Sequence, residues 1–580
     1  MKLATRGLLP AGLVLWALAL PGINIGDLGQ YGLLPALGPA WYGALVLLVS
    51  GTVLAAWGPE PANRWLLAGY IGAVVLVLYA TIPAITDVPQ YPWTYKHIGV
   101  TRLIEARGRI DPGADIYSRW PGFFALAAAF GRVAGLPNPV SWAAWTEPLF
   151  MAIDALLVAA LAWTLTRQER TAAFAALVFV LINWVGQTYF APQAAASALS
   201  LALLLAVLAG LGFTASPGAE AGGTPAAWRL RGTAALILGF DVAIVISHQL
   251  TPYALLAQVG ALTLFGLVRA WPILLAMGAL TLGFLVLNAG YVSEHFTLLT
   301  SFDPLQNLRH AGPYGAAPVA GKQLNAHAGQ LLSVLAWGGA LLSAWRLRRT
   351  GHGRLALTAL VIAFAPFAVL FGQDYGGEAT LRVILFSAPG CAILVAAGVA
   401  SLPATRRRSA VALGACAALA TLSVAASLGA SELNLVSPAE VAVSDAFYSH
   451  APPGSVLMLA GPGFPLRVGA TYDRFAGPQG DAAPNLLEGP ALRSRPLGAA
   501  DLPLVMTRIR GYSPHGYLAF SSLERRWAAT LGLAPAGALD DLERAVAASP
   551  EFTLWRSSRD ARIYRLRASP RPASPLPRRR

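Results

Sequence analysis

A polar stretch from Thr86 to Trp120 is the first long interruption in an otherwise mostly apolar chain. Asp87 stands at its start, directly after an apolar segment, and aromatic side chains and bases follow. A carboxylate where the chain leaves a membrane is partly desolvated, which favours its use as a general base. Arginine and lysine at such a boundary are suited to an anionic ligand. The candidates in this stretch are Asp87 as the catalytic acid, Lys96 and Arg102 for a lipid phosphate, and Tyr91 and Trp93 for substrate.

One carboxylate with several cations is an adequate set for glycosyl transfer from a lipid phosphate. The carboxylate takes the proton of the acceptor, and the cations hold the leaving phosphate, which departs without being protonated. Two simpler interpretations stay open. Asp87 can be a turn carboxylate before Pro89, and the bases of the stretch can be paired with Glu105, Asp111 and Asp115.

Three later polar segments join apolar runs and add further candidates. They are NWVGQTYFAPQ (183–193), SHQLTP (247–252) and the segment 374–382. Arg382 is costly to bury beside apolar residues and needs a partner, either a lipid phosphate or Glu378. Helix capping and structural roles explain the amides and the histidine equally well. The added candidates are His248 and Arg382 for phosphate, and Gln187, Tyr189, Gln193, Asp374 and Glu378 for substrate.

Membrane-spanning helices must position these residues. Of the 580 residues, 56% are hydrophobic and only 12% are charged, whereas soluble domains contain about 25% charged residues. We predict an α-helical polytopic membrane protein with about 13 transmembrane helices, each of roughly 20 apolar residues. The segment 121–136 is apolar but short, and spanning, re-entrant and interfacial placements are all open to it. The predicted spans are 8–23, 41–57, 65–85, 142–165, 171–187, 191–213, 233–249, 252–268, 272–289, 328–345, 355–372, 381–402 and 409–429.

The basic residues of the short loops orient the helices. Lys2 and Arg6 place the N-terminus in the cytoplasm, and with alternating spans the other short-loop clusters of arginine also fall inside. The long stretch 86–120, the three polar segments and everything after residue 431 then fall outside. We therefore predict a multi-pass plasma-membrane protein with a cytoplasmic N-terminus and an extracytoplasmic C-terminal domain.

The chain divides into three parts. Residues 1–430 form a transmembrane domain, in which 86–120 is an outer catalytic loop containing an interfacial helix. Residues 431–567 form a small extracytoplasmic α/β domain, with helices at 437–450 and 539–548 and strands at 455–459, 503–507, 552–555 and 561–566. Residues 568–580 form a disordered basic tail, and 217–225 form a flexible linker.

Charge and cysteine content narrow the function. The net charge of +14 is explained by arginines in the inner loops and the tail, beside anionic membrane lipids, so we expect no nucleic-acid partner. Cys391 and Cys416 both lie inside apolar runs. Neither a disulfide framework nor a thiolate metal site is expected.

On these residues the chain resembles the GT-C superfamily of polytopic glycosyltransferases. The shared features are the acid of the first large outer loop (Asp87), the interfacial helix after it, the helical bundle and the C-terminal outer domain. NWVGQTYFAPQ (183–193), SHQLTP (247–252) and EATLRVILF (378–386) resemble segments of family-39-like membrane proteins of actinobacteria. The resemblance implies a polyprenyl-phosphate-linked sugar as donor. Many members carry an acidic pair where Asp87 is followed by Val88 here, so whether a divalent metal is used stays open, and no other cofactor is implied.

Three hypotheses follow. The first is an inverting glycosyltransferase that moves a sugar from polyprenyl phosphate to a glycan, lipid or protein of the cell envelope, with Asp87 as general base. The second is a transporter or flippase of lipid-linked sugars, which predicts polar groups along a path through the bundle. The third is a glycan polymerase or ligase of the O-antigen type.

Overall fold

The computed structural model describes residues 2–26, 28–58, 62–211, 227–295, 318–371, 379–477 and 484–567. The predicted linker 217–225, the predicted tail 568–580 and the acids Asp374 and Glu378 lie outside these residues.

Long apolar helices make up most of the chain. Nine helices of the described residues are long and apolar enough to cross a membrane, and they coincide with nine predicted spans. The other four predicted spans are helical as well. The helices of this part are α1 Lys2–Ala19, α2 Gly38–Trp57, α3 Arg64–Val75, α4 Thr81–Ile85, α5 Pro92–Arg107, α6 Gly122–Val133, α7 Thr146–Thr166, α8 Glu169–Ile182, α9 Pro192–Gly210, α10 Ala227–Val245, α11 Thr251–Leu264, α12 Trp271–Leu287, α13 Ala289–His295, α14 Ala320–Arg349, α15 Gly353–Phe364, α16 Ala379–Ala400 and α17 Arg406–Leu428.

The arginines predicted to face the cytoplasm contact one another's loops at one end of the bundle. Arg170 donates to the carbonyl of Gly58 at 2.9 Å, and Arg408 lies over the ring of Trp57. Arg354 reaches the loop after α11 by donating to the carbonyl of Leu267 at 3.2 Å. The alternation of spans that the basic clusters predicted is therefore consistent with how the helices pack.

The helix of the first polar loop forms as predicted, but its surroundings are protein. Helix α5 is buried along most of its length against α6 and the chain after residue 436. Helix α6 fills the short apolar segment 121–136. Its 12 residues reach only about 18 Å at 1.5 Å per residue, too short for a bilayer core of about 30 Å. One face of α6 packs on α5 through Phe123 and Phe124, while Leu126 and Val133 on the other face are exposed.

The C-terminal part is a small α/β unit around a four-stranded sheet. The strand order is β1-β2-β4-β3, with β1 and β2 parallel and the other pairs antiparallel. The predicted N-cap of its first helix is confirmed, because the side chain of Ser437 and that of Glu440 form a capping box. The elements are α18 Pro438–His450, β1 Val456–Leu459, α19 Leu502–Tyr512, β2 Gly516–Ser521, α20 Ser522–Thr530, α21 Ala538–Ala548, β3 Phe552–Ser557 and β4 Ala561–Leu566.

One predicted strand is wrong. Residues 503–507 lie in α19, which buries Val505 and Ile509 one helical turn apart. Pro503 stands in the first turn of this helix, where its missing N–H costs nothing. The parallel partner of β1 is instead β2, which sequence patterning missed. All six of its residues are buried, so it shows no alternation of polar and apolar residues.

Candidate functional site

Asp87 lies on the short loop between α4 and α5, and its side chain is exposed. The loop around it is held in place. Thr86 donates to the carbonyl of Ile82 at 2.9 Å, and the Tyr95 hydroxyl donates to the carbonyl of Pro89 at 2.7 Å. Among the described residues, none donates to the Asp87 carboxylate or forms an ion pair with it. Asp87 is thus a free carboxylate on an ordered loop.

A second acid, Glu147, anchors the residues that follow Asp87. It is buried at the start of α7 and accepts hydrogen bonds from the Gln90 amide and from the Tyr91 hydroxyl at 3.3 Å. Tyr91 has φ = +67°, a conformation that costs a non-glycine residue about 1–3 kcal/mol and persists only when its surroundings fix it. Burial, and then the charge of Glu147, raise the pKa of the Tyr91 phenol well above its ordinary value. Tyr91 therefore stays a donor to Glu147.

The turn between α8 and α9 joins this network to the first polar loop. The ring of Tyr189 stacks on His97 of α5 at 5.8 Å with an interplanar angle of 13°, and it also contacts Tyr91 at 4.9 Å. His97 Nδ1 bonds the carbonyl of Phe190 at 2.8 Å. Gly186 has φ = +67°, and the Tyr91 hydroxyl lies 3.2 Å from where a Cβ would stand. The turn and the loop are therefore packed as one surface.

The same turn reaches Arg382. The guanidinium of Arg382, near the start of α16, donates to the side-chain oxygen of Gln187. Both Arg382 and His248 are buried. Burial, and then the positive charge of Arg382, lower the pKa of His248 well below its ordinary value. The structure therefore brings together three of the predicted residues, Gln187, His248 and Arg382.

The imidazole of His248 is neutral beside Arg382, and its ring contacts identify the nitrogen that carries the proton. Its Nδ1 accepts from the backbone N–H of Leu250 at 3.3 Å and of Thr251 at 3.2 Å, and so caps the N-terminus of α11. With Nδ1 used as an acceptor, the ring proton is on Nε2. Helix capping, one of the two interpretations of this turn, is thus present, and Nε2–H is still able to donate to a ligand.

Three polar side chains on the turn are buried without hydrogen bonds. Both side-chain polar atoms of Asn183 and of Gln193, and the hydroxyl of Thr188, find no partner among the described residues. Leaving such a group buried and unsatisfied costs about 1–3 kcal/mol. Buried polar groups are normally paired with protein, water or ligand. Within the described residues, these groups are left for water or a ligand to satisfy.

Lys96 and Arg102, both predicted to bind the lipid phosphate, contact other groups of the protein. Lys96 is buried, with its ammonium 3.8 Å from the ring centroid of Trp93. Arg102 is bonded to Asp445 at 3.1 Å, to the carbonyl of Val468 at 2.9 Å and to Asn138 at 2.7 Å. Arg102 thus contributes to the contact between the first loop and the C-terminal part.

A metal site does not follow from the described side chains. Within the described ranges, no group of three or more histidines, cysteines, aspartates and glutamates is arranged to hold a metal ion. Asp87, the acid nearest the expected chemistry, is exposed, and the second acid Glu147 already holds Gln90 and Tyr91. The described side chains therefore offer no ligand set for a metal, and the mechanism below uses none.

Sequence reasoning missed Glu147. The signal was available, because Glu147 stands directly at the start of an apolar span, as Asp87 stands at the end of one. Asn183 was noted as part of the turn 183–193, whereas nothing in the sequence shows that its amide would be buried without a partner.

Comparison with solved structures identifies the fold. ArnT from Cupriavidus metallidurans bound to undecaprenyl phosphate aligns with a TM-score of 0.50 at 14% identity, over 87% of this chain and 98% of that one. An oligosaccharyltransferase from Archaeoglobus fulgidus tethered to an acceptor peptide aligns with a TM-score of 0.49 at 13% identity, over 89% and 73% of the two chains. ArnT is a GT-C membrane glycosyltransferase, and this chain shares its fold.

The same archaeal enzyme, AglB, in complex with an inhibitory peptide and a dolichol-phosphate aligns with a TM-score of 0.48 at 13% identity, over 87% of this chain and 72% of that one. No family model matches the sequence, and no curated protein matches it either. At these identities the likeness concerns the fold.

Proposed function

We propose that this protein is an inverting glycosyltransferase. It takes a sugar from a polyprenyl-phosphate donor and passes it to a cell-envelope acceptor on the outer face of the plasma membrane. The observation that carries the proposal is the turn 183–193. It offers buried, unpartnered polar groups for sugar hydroxyls, beside the buried pair Arg382 and His248 and next to the loop of Asp87.

The fold supports the choice of donor. The GT-C structure with a TM-score of 0.50 to this chain holds undecaprenyl phosphate. A buried guanidinium and a neutral imidazole N–H are suitable donors to a phosphate, because they stabilise its charge without giving up a proton. Asp374 and Glu378 stay predicted substrate-binding residues.

The chemical step is a displacement at the anomeric carbon. The Asp87 carboxylate takes the proton of an acceptor hydroxyl as that oxygen forms a bond to C1 of the sugar. The bond between C1 and the phosphate oxygen breaks, its electron pair leaves with the polyprenyl phosphate, and the configuration at C1 inverts. Arg382 and His248 Nε2–H hold the departing phosphate.

Replacement of Asp87 by Asn tests the proposal. We expect Asp87→Asn to lower transfer of radiolabelled sugar from polyprenyl-phosphate sugars to membrane acceptors by about 10²–10⁴-fold, the usual contribution of a general base. Native mass spectrometry of the purified full chain should still find co-purified polyprenyl phosphate in the variant. As a control, Asp541→Asn changes an acid whose one ion-pair partner among the described residues is Arg544 of its own helix, and it should leave transfer unchanged.

Full transfer by Asp87→Asn would overturn the role of Asp87. Absence of both polyprenyl lipid binding and transfer in the unmodified protein would overturn the proposed function as a whole.

A further inference from the structure

A cavity of about 610 Å³ lies between the first polar loop and the C-terminal α/β unit. The loop contributes one wall through residues 111–115, and the C-terminal unit contributes the others. Its volume is in the range of pockets that bind small molecules, about 300–1,000 Å³. The lining residues that matter for its chemistry are Asp115, Tyr448, Arg467, Asp473, Phe475 and Tyr512.

One wall is aromatic. Phe475 contacts Tyr448 edge-on with ring centroids 5.1 Å apart, and Tyr512 lines the same cavity with its ring exposed. An exposed aromatic ring in a concave site provides an apolar face with a polar tip. Such faces pack against the C–H faces of sugar rings.

The cavity also carries acceptors for hydroxyl groups. Asp473 Oδ2 accepts from Arg107 at 2.6 Å, while its Oδ1 is buried and finds no partner among the described residues. Asp115 is already engaged, because it accepts from the Tyr472 hydroxyl at 2.5 Å and from the backbone N–H of Ser118 at 3.0 Å. Asp473 Oδ1 is thus an unused acceptor on a residue that lines the cavity, and an ionised carboxylate accepts hydrogen bonds only.

The cavity discriminates between ligand classes. Three carboxylates, Asp111, Asp115 and Asp473, line the cavity against one guanidinium, Arg467. This excess of negative charge disfavours a phosphate or another anion. The same carboxylates disfavour an acyl chain, because an apolar ligand would leave them desolvated and unpaired. A neutral ligand with many hydroxyls and apolar ring faces satisfies both walls, and carbohydrate has this chemistry.

The first polar loop connects one wall of the cavity to the candidate site by side-chain packing. Two residues after Asp115, the ring of Tyr117 meets His97 edge-on at 5.2 Å, and His97 stacks on Tyr189 of the turn. Backbone packing also fixes the wall that the C-terminal unit contributes, since a Cβ on Gly99 of α5 would stand 1.7 Å from the carbonyl oxygen of Arg467. The loop therefore carries Asp87, the packing on the turn and one wall of the cavity.

We propose that this cavity binds carbohydrate, and that the acceptor is a neutral glycan whose chain rests on Tyr512 and Phe475. The assignment of the bound glycan as the acceptor rests on the proposed function. Binding of carbohydrate in the cavity does not depend on it.

Saturation-transfer NMR on the full chain in lipid nanodiscs tests the binding. The probes are neutral trisaccharides of glucose, mannose, galactose and arabinose, offered separately. We expect at least one of them to give saturation transfer, and Tyr512→Ala to weaken its binding about fivefold or more, as removal of an aromatic contact does. Tyr512 is exposed, so its removal should leave the fold intact. Leu554→Ala removes a comparably exposed apolar side chain from β3, outside the cavity, and should leave binding unchanged.

The possible results separate this inference from the proposed function. If none of the trisaccharides binds, or if Tyr512→Ala and Leu554→Ala bind equally well, the cavity is not a carbohydrate site, whether or not polyprenyl phosphate co-purifies. If a trisaccharide binds through Tyr512 but no polyprenyl lipid is found, the carbohydrate site stands and the donor assignment fails. Binding of a serine- and threonine-rich peptide in place of the trisaccharides would also overturn the inference.

Discussion

Two acids near the ends of helices in the bundle, Asp87 after α4 and Glu147 in the first turn of α7, have opposite surroundings. Asp87 is exposed and free of partners among the described residues, whereas Glu147 is buried and accepts from Gln90 and Tyr91. A general base must meet a mobile acceptor, which an exposed carboxylate does. A buried carboxylate with two donors instead fixes the residues that bond to it. We therefore assign chemistry to Asp87 and positioning to Glu147.

Replacement of Glu147 by Leu tests this division. It leaves the Gln90 amide and the Tyr91 hydroxyl buried without an acceptor, at about 1–3 kcal/mol each, and it releases the strained backbone of Tyr91. We expect a lower melting temperature and a large loss of transfer. Glu147→Gln should restore much of both, because its amide oxygen accepts one of the two hydrogen bonds.

The matched control for Glu147→Leu is Glu169→Leu, which changes an exposed acid at the start of the next span and should leave both properties nearly unchanged. If Glu147→Leu melted and reacted like the unmodified protein, the positioning role would be refuted.

Residue types at the ends of spans singled out Gln187, His248 and Arg382 as candidates, because polar groups beside apolar runs are few and must be satisfied. That these three side chains lie together was seen only in the structure. The partners of Glu147 were not predictable in this way. Gln90 and Glu147 are separated by 57 positions, and their contact depends on how α7 packs against the loop. Patterning along one segment contains no information about that packing.

At the scale of single elements, Glu524 links the start of α20 to the segment that follows β1. Its backbone N–H donates to the Ser521 hydroxyl at 3.2 Å, which caps the helix, and its carboxyl accepts from the Gly461 N–H at 3.1 Å. Burial raises the pKa of the Glu524 carboxyl from 4.5 to about 8, against the lowering effect of the Gly461 hydrogen bond. Between pH 4.5 and about 8, the Glu524 carboxyl is therefore protonated in the folded protein and ionised in the unfolded chain.

The contribution of protonated Glu524 to the free energy of unfolding is fully present below pH 4.5 and is lost as the pH rises towards about 8. Glu524→Gln removes this dependence. We expect the variant to gain in melting temperature relative to the unmodified full chain as the pH is raised from 5 to 8, by several degrees in all, and to gain nothing further above that.

Glu551→Gln changes an exposed acid of the same unit and should show no such trend in its melting temperature. A difference between Glu524→Gln and the unmodified protein that is constant from pH 5 to 9 would contradict the assignment.

Helices α7 and α10 each carry a buried acid inside the bundle. Asp154 and Asp241 are fully buried, and their carboxyl oxygens have no partner among the described residues. Acids at such depth often mark a transport path, and the flippase hypothesis requires one. For a transferase they are structural, so we expect Asp154→Asn and Asp241→Asn to keep transfer within about threefold, since both replacements preserve shape and hydrogen-bonding capacity. A loss of transfer comparable to that of Asp87→Asn would contradict the structural role of these two acids.

Apolar length predicted the spanning helices well, because the bilayer leaves few alternatives to a helix. The C-terminal elements were less predictable. Their lengths are short, β2 is buried on both faces, and α19 places a proline and β-branched residues where a strand was expected. In such a unit tertiary packing decides the local structure, and a single segment does not reveal it.

At the scale of the whole molecule, the C-terminal unit is fastened to the first polar loop. Arg102 bonds Asp445 and Arg107 bonds Asp473 across this contact. Between these ion pairs α5 approaches the backbone at Arg467, which has φ = +59°. Partly exposed ion pairs contribute little to stability. The close packing at Gly99 is therefore the feature that sets the distance between the first polar loop and the C-terminal unit.

Replacement of Gly99 by Ala tests that fastening. Its Cβ would stand 1.7 Å from the Arg467 carbonyl oxygen and 3.2 Å from the Tyr472 ring, so the backbone of the C-terminal unit must move. Overpacking of this kind costs about 1–3 kcal/mol. We expect faster hydrogen exchange in residues 466–475, a lower melting temperature and reduced transfer, with polyprenyl phosphate still bound. Gly72→Ala is the matched control, because a Cβ there meets nothing within 4 Å and alanine favours a helix. If both variants exchanged and reacted alike, the C-terminal unit would not be positioned by this contact, and its part in holding the acceptor over Asp87 would fail with it.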